Sequence, residues 1–388
     1  MFESANPHAA TPIKVMFVLP HLRVGGIEHV VARLAAGLDR NRFRPVLFLA
    51  RAEGALLATL PGDVRVISGG GRRAGLLAPL LARHIVAERP SVVYSGTNAV
   101  NIVTLVAARL VRPALRPRVV ISEHTSAASY LAAARGGALR RGLIRLLYPR
   151  ADRLAAPLAE IGEDWRSTLA LAGPPITVLP NPVFDRSTMD VLAADPPLRV
   201  RGLVVAAGRL VPDKGFDVLI EAFAHLSDTH PGARLEIYGE GAEAARLGSL
   251  IEHLGLAGSV RLCGHADDLP RRLARAQIVA VPSRREGFGN VVVEALAVGT
   301  EIVASDCAGP RALLDGGRLG TLVSPDDPAA LAAALSARLE APENAALRAA
   351  GRAQVSAYEI PCAIAVFEEL IDSLCLSATE PRLAAETA

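Results

Sequence analysis

Short apolar runs recur along this chain, each followed by room for one helix, and that alternation restricts the fold more than any other feature. In the first half the runs fall at residues 13–20, 45–50, 64–67, 92–95, 119–122, 154–157 and 176–179, with helical apolar spacing at 76–87 and 99–110. Apolar runs without polar alternation suit strands covered on both faces, which is the condition of a parallel sheet. Strand and helix in succession predict a doubly wound α/β architecture. The rhythm resumes at 202–207, 235–238, 260–263, 277–281 and 302–305, after a stretch at 182–200 rich in turn residues. At 388 residues the chain is too long for one ordinary core. Two domains are therefore expected, residues 1–183 and 184–376, with a linker near 182–200 and a loose tail at 377–388.

Hydrophobic residues make up 51% and charged residues 21%, so cores can be buried and long disorder is excluded. Cys263, Cys307, Cys362 and Cys375 show neither a C-x-x-C pair nor metal-ligand spacing, which fits free thiols in a reducing compartment and no structural zinc. No apolar run reaches the roughly 18 residues needed to span a bilayer. Residues 13–19 read as a first core strand rather than a signal peptide, so a cytoplasmic location is expected. Charge is divided unevenly. Residues 1–180 hold 23 Lys plus Arg against 11 Asp plus Glu, and the remainder holds 19 against 28. A basic half points to an anionic partner such as a membrane leaflet. Nucleic acid is not expected, because no helix-turn-helix, zinc finger or aromatic RNA-binding motif is present.

The stretch 281–299, VPSRREGFGNVVVEALAVG, reads as the end of a buried strand, a glycine-rich turn, and a helix at 291–298 with Asn290 as its N-cap. A helix start at the carboxyl edge of a sheet offers free N–H groups and a positive dipole end to a phosphate. Glu286 and Glu294 would repel that phosphate, so they fit neutral hydroxyls, such as those of a sugar and a ribose. The plain alternative is a loop acid and a solvated helix acid. A second constellation, Gly208-Arg209-Leu210 with Asp213-Lys214-Gly215-Phe216, follows a strand. Lys14 and Lys214 are the only lysines in the chain. An ammonium beside a guanidinium can neutralise a diphosphate, although a solvated loop pair would look the same.

The first half offers Gly25-Gly26 just before a helix, where backbone can approach a ligand, with Glu28 in the first turn. The full G-x-G-x-x-G spacing is missing, which argues against a nicotinamide enzyme; a tight turn capping the helix is the plain reading. Ser122-Glu123-His124-Thr125 lies past a strand. There His124 can donate to a sugar hydroxyl or stabilise a charged transition state, or be a satisfied loop histidine. Residues 130–153 carry Arg135, Arg140, Arg141, Arg145, Arg150 and Arg153 among leucines. On a helix, Leu139, Leu143, Leu146 and Leu147 share a side flanked by Arg140, Arg141 and Arg145. That pattern suits either a membrane surface or a core-facing helix with a solvated basic side.

The string Glu286-Gly287-Phe288-Gly289-Asn290, followed by Glu294-Ala295-Leu296-Ala297 and Gly299-Thr300, resembles the signature of the retaining family 4 glycosyltransferases, also called glycosyl transferases group 1. The Arg209 to Lys214 segment, with Leu219-Ile220-Glu221-Ala222-Phe223, resembles that family's diphosphate-binding segment. Gly25-Gly26-Ile27-Glu28 resembles its N-terminal glycine loop. Glu301 departs from the pattern, standing where the family usually has proline. The resemblance covers most of the second domain and scattered anchors in the first. It implies a GT-B fold, two Rossmann-like domains facing each other across a cleft, with the last helix returning across the domain junction. It also implies a hexosyltransferase moving a sugar from a nucleotide-diphosphate sugar, a UDP-sugar first, to a lipid-linked or saccharide acceptor of a bacterial surface polysaccharide. Glu286, His124, Arg209 and Lys214 would be catalytic. Gly26, Gly287, Phe288, Gly289, Asn290 and Glu294 would bind substrate, with no divalent metal required. The loop at Gly264-His265 would lie against the nucleobase through its backbone. Same-face attack and double displacement leave no distinguishing mark here. An epimerase or hydrolase of the same architecture would consume donor without acceptor, and a non-catalytic nucleotide-sugar-binding subunit would bind without turnover.

Overall fold

The computed structural model describes residues 11–376 apart from 24, 73, 128–129 and 132–136. The expected tail at 377–388 and Arg135 of the basic segment lie outside the described residues. The chain forms two compact units, one running to Pro182 and resuming at Ala363, the other Val183–Cys362.

The first unit is built on a seven-stranded parallel sheet in the order β3-β2-β1-β4-β5-β6-β7. Its strands are β1 (Ile13–Leu19), β2 (Phe43–Leu49), β3 (Arg65–Ser68), β4 (Val92–Gly96), β5 (Arg118–Ser122), β6 (Arg153–Ala156) and β7 (Ile176–Val178). Successive side chains of β1 point to opposite faces. Met16 and Val18 join a cluster with Phe48, Leu81 and Val103, under the helices Ala74–Glu88 and Asn98–Leu110. Phe17 faces the other way, onto Phe367 at 5.6 Å and Tyr94 at 5.8 Å between ring centroids. Phe367 belongs to the helix Ile360–Leu376. Residues 363–376, expected in the second domain, are therefore part of the first unit. The reason is physical: this helix covers the open face of β1 and β4, and Arg42 holds it through Glu368 at 2.9 Å and through Asp372.

The second unit has a six-stranded sheet in the order β10-β9-β8-β11-β12-β13. Its strands are β8 (Val200–Ala207), β9 (Arg234–Tyr238), β10 (Val260–Gly264), β11 (Ala276–Val281), β12 (Glu301–Ser305) and β13 (Thr321–Val323). All its strand pairs are parallel. The stretch expected as linker holds a helix instead, Arg186–Ala194, started by Asp185 accepting from Ser187 N–H at 2.9 Å. In each sheet the order reverses once, between β1 and β4 and between β8 and β11. In a doubly wound sheet ligands bind at that reversal, outside the carboxyl ends of the strands. Among the described residues no helix is long and apolar enough to cross a membrane.

Candidate functional site

At the reversal in the second unit, the loop after β8 meets the loop after β11. Gly215 makes the contact possible. Its φ is +63°, and a methyl there would lie 2.1 Å from the Pro282 carbonyl oxygen, so a larger residue is both strained and obstructed. Lys214, just before it, places its ammonium on the Glu286 carboxylate. The two side chains are 24% and 13% exposed, shielded enough for the pairing to matter and open enough for a ligand to compete. Ser283 Oγ–H also donates to Glu286 at 3.3 Å, and Gly309 N–H donates to its main-chain oxygen at 3.1 Å. Arg284 fastens the loops: its guanidinium bonds Asp217 twice, at 2.8 and 3.1 Å, and Pro212 O at 2.8 Å. Neither Ser283 nor Arg284 was singled out in the sequence. The available signal was the polar run Ser283-Arg284-Arg285 just before Glu286, directly after an apolar strand.

Arg209 is exposed, with no hydrogen bond or ion pair to its side chain among the described residues. The Lys214 stem lies 3.7 Å from where a Cβ of Gly208 would stand, so the guanidinium and the ammonium leave neighbouring stretches of one loop. The helix after Glu286 runs Asn290–Ala297. The sequence places Asn290 as its cap. The structure puts Gly289 there instead, in the left-handed region at φ +99°, with no side chain to occupy the helix's first N–H groups. Gly287 is part-exposed in the same turn. The Phe288 ring is buried edge-on against Tyr358 at 5.1 Å, so it packs the unit and only its main chain can meet a ligand. Glu294 stands part-exposed further along the helix. Beyond β10, Tyr238, Cys263, His265, Asp268 and Arg272 line an open cavity of about 660 Å³.

His124 and Gly26 lie in the first unit. Gly26 is exposed and opens the helix Gly26–Gly37, with open space where a Cβ would stand. His124 follows β5, its Nε2 3.0 Å from Ser122 Oγ. Burial pulls its pKa down to about 4, so the ring is neutral near pH 7. A neutral imidazole carries no charge of its own and acts on a sugar hydroxyl or a developing charge through its ring N–H. Glu123 beside it is buried, with its pKa pushed up to about 7 by that burial; no local pattern marks it. In the basic segment the helix Gly137–Leu147 buries Ile144 and Leu147. Leu139 and Leu146, expected on the same side as Leu147, are exposed at 73% and 57%. Among the described residues no three His, Cys, Asp or Glu side chains converge as metal ligands.

Two doubly wound units, with a cation pair and a glycine-capped helix start at the reversal of one, define the GT-B class. The description "Glycosyltransferase Family 4" matches residues 24–185, and "Glycosyl transferases group 1" matches residues 200–354. The chain belongs to the family 4 glycosyltransferases. It is 36% identical over 261 residues to an exopolysaccharide phosphotransferase of Streptomyces coelicolor, a match covering 66% of this chain and 26% of that protein. It is 36% identical over 151 residues to LpsE, a lipopolysaccharide core biosynthesis glycosyltransferase of Rhizobium meliloti, covering 39% of this chain and 42% of that one. The chain thus spans less than half the length of these relatives. Among solved structures, Anabaena HepE in complex with UDP superposes with a TM-score of 0.77 at 23% identity, covering 93% of this chain and 100% of that one. Sucrose-phosphate synthase from Thermosynechococcus elongatus gives 0.78 at 19% identity, covering 94% and 100%. These likenesses concern the fold.

Proposed function

We propose that this chain is a retaining hexosyltransferase that moves a sugar from a UDP-sugar to a lipid-linked or saccharide acceptor of a bacterial surface polysaccharide. The observation that carries the reading is the Lys214–Glu286 ion pair at the sheet reversal, beside Arg209, whose side chain has no partner among the described residues, and a helix start capped by Gly289. An arriving diphosphate offers Lys214 a more highly charged partner than Glu286. The exchange frees the Glu286 carboxylate to accept from hydroxyls of the transferred sugar. Arg209 and the amides of residues 287–290 complete the diphosphate site, and Glu294 accepts from the ribose. UDP is the nucleotide of choice because the structural relative HepE was solved with UDP. In the first unit Gly26 is assigned to substrate binding and His124 to a hydrogen bond with the transition state. The two cations take the charge-neutralising part that a divalent ion plays in other transferases, so turnover is expected to persist in EDTA.

The reading includes a cytoplasmic protein resting on the inner face of a membrane. The specific reason is the helix Gly137–Leu147, which turns Leu139 and Leu146 outward beside the exposed Arg141 and Arg145. Arginine with exposed leucine suits an anionic lipid surface. Flotation with anionic vesicles is expected to carry the protein, and L139S/R141Q/L146S to leave it behind; equal flotation of the variant would retire the membrane contact.

The test of the reaction is to screen the purified chain against UDP-glucose, UDP-galactose and UDP-N-acetylglucosamine by thermal shift, then follow donor consumption with and without saccharide acceptors. At least one donor should raise the melting temperature, and its consumption should require an acceptor. Consumption without acceptor would favour an epimerase or hydrolase, and binding without turnover a nucleotide-sugar-binding subunit. Glu286→Gln is expected to keep UDP binding and to lose transfer.

A further inference from the structure

Glu123 has no part in the roles given above, yet it sits at the centre of a built network. It is 3% exposed, and among the described residues no cation pairs with it. Its Oε1 accepts from the Tyr148 hydroxyl, from Asn101 Nδ2 at 3.0 Å and from Asn98 Nδ2 at 3.4 Å. Asn101 also donates to Ser122 O at 3.0 Å and accepts from Ser95 Oγ at 2.7 Å. Both asparagines open the helix after β4, and the residue before them, Thr97, is held at φ +95°. A β-branched residue in that region is strained, which calls for a surrounding structure that fixes it.

The network closes around His124 from both sides. Tyr148, bonded to Glu123, stacks on Trp165 with centroids 5.8 Å apart. Trp165 Nε1–H donates to Thr125 O at 2.8 Å. The residue before His124 and the residue after it are therefore tied to one aromatic stack. Ser122 meets the imidazole from the strand. Glu123 N–H extends the β5–β6 pairing by one bond, to Ala155 O at 3.0 Å. In extended backbone, alternate side chains face opposite ways. Ser122 and His124 are in contact on one side, and Glu123 is buried on the other.

We infer that Glu123 is a positioning residue, a buried carboxyl that fixes the placement of His124 by anchoring its loop to the Asn98–Asn101–Tyr148 network. A simple apolar residue would avoid the cost of burying a carboxyl but would leave three donors unmatched. Asn98 Oδ1 is a buried acceptor without a donor, while its Nδ2 donates both to Glu123 and to the Tyr148 hydroxyl, at 2.6 Å to the latter. The titratable groups that face Glu123 are Tyr148, whose hydroxyl burial and then the carboxylate push up, and Tyr130, which the same charge reaches; His124 lies on the other side of the strand. The helix after β4 contributes only amides.

This inference deepens the role proposed for His124, and it can be tested without a substrate. The full chain is labelled with ¹⁵N-histidine, the His124 ring resonances are identified by their loss in His124→Gln, and the rings are followed from pH 5.5 to 8.5. The His124 shifts should show an inflection near pH 7 without ring protonation. Glu123→Gln, which keeps the accepting oxygen and cannot ionise, should abolish the inflection and hold the ring at its low-pH position. Glu123→Ala should displace or broaden the ring resonances. Tyr148→Phe keeps the stack and removes one donor, so it should move the inflection to higher pH. An inflection that survives in Glu123→Gln, or a ring indifferent to all three substitutions, would overturn the inference. In transfer assays Glu123→Ala should lower kcat by about tenfold or more at unchanged donor KM, with Glu123→Gln restoring most of it. Absence of any turnover in the wild type would sink the proposed reaction and leave the histidine spectra to decide Glu123.

Discussion

Lys214 and Glu286 are oppositely charged partners whose pairing was not legible, although each residue was. The sequence marks both, one by the rarity of lysine and the other by its motif, but nothing in a linear string says that residues 214 and 286 touch. Neighbouring Glu123 and His124 illustrate what burial adds. Glu123 has its pKa raised from 4.5 to about 7. The folded chain therefore keeps a proton that the unfolded chain releases, and stability falls as pH rises between those values. The loss is on the order of 3 kcal/mol above about pH 7. His124 is lowered from 6.5 to about 4. Over that window the unfolded chain binds the extra proton, so stability rises with pH, opposing the first slope. Glu123→Gln removes one slope and exposes the other. Urea midpoints should climb between about pH 4 and 6.5 in the variant and exceed the wild type's at pH 8; a lower midpoint at pH 8 would contradict the burial argument. Burial is set by packing from distant elements, which is why these shifts could not be read from the string Ser-Glu-His-Thr.

Among elements, the strands were the most legible, because a strand covered on both faces must be apolar nearly throughout. Helix starts were less so. Asn290 has the right side chain for a cap, yet the turn needs a left-handed residue one position earlier, and Gly289 meets that need. The helix Arg186–Ala194 was hidden by turn residues on either side, although Asp185 is an ordinary cap. Within the basic segment 130–153 the helix runs Gly137–Leu147 and its inward face differs from the expected one, since Ile144 and Leu147 turn inward where the wheel grouped Leu139 and Leu146 with Leu147. The loop contact at Gly215 supports a sharper expectation. Gly215→Ala adds a methyl at a left-handed position that abuts the Pro282 carbonyl. It should cost about 1–3 kcal/mol of stability and weaken UDP binding together, because Lys214 moves with the loop. Denaturant melts and UDP titrations on the same preparation check both; unchanged values would show that the two loops do not depend on this contact.

At the scale of the molecule, the two-domain rhythm was plain, while the return of the last helix across the junction was legible only through the resemblance, the expected domain bounds having left it in the second half. Its apolar side reads equally well against either sheet, and only the packing of Phe367 on Phe17 and Tyr94 assigns it to the first unit. Phe367→Ala should destabilise that unit by about 3–5 kcal/mol, with hydrogen exchange accelerating in β1 and β4 and leaving β8 and β11 as they were. Acceleration in the second unit alone would reverse the assignment. The proposed chemistry rests on the second unit's grip on a diphosphate, through two cations and a helix start that no side chain caps. Calorimetric titration with UDP of the wild type and of R209A/K214A reads that grip directly. Each charge-assisted contact is worth about 1.5–3 kcal/mol, so the double variant should bind about a hundredfold or more weakly. Equal affinity in the two proteins, or no binding by the wild type, would contradict it.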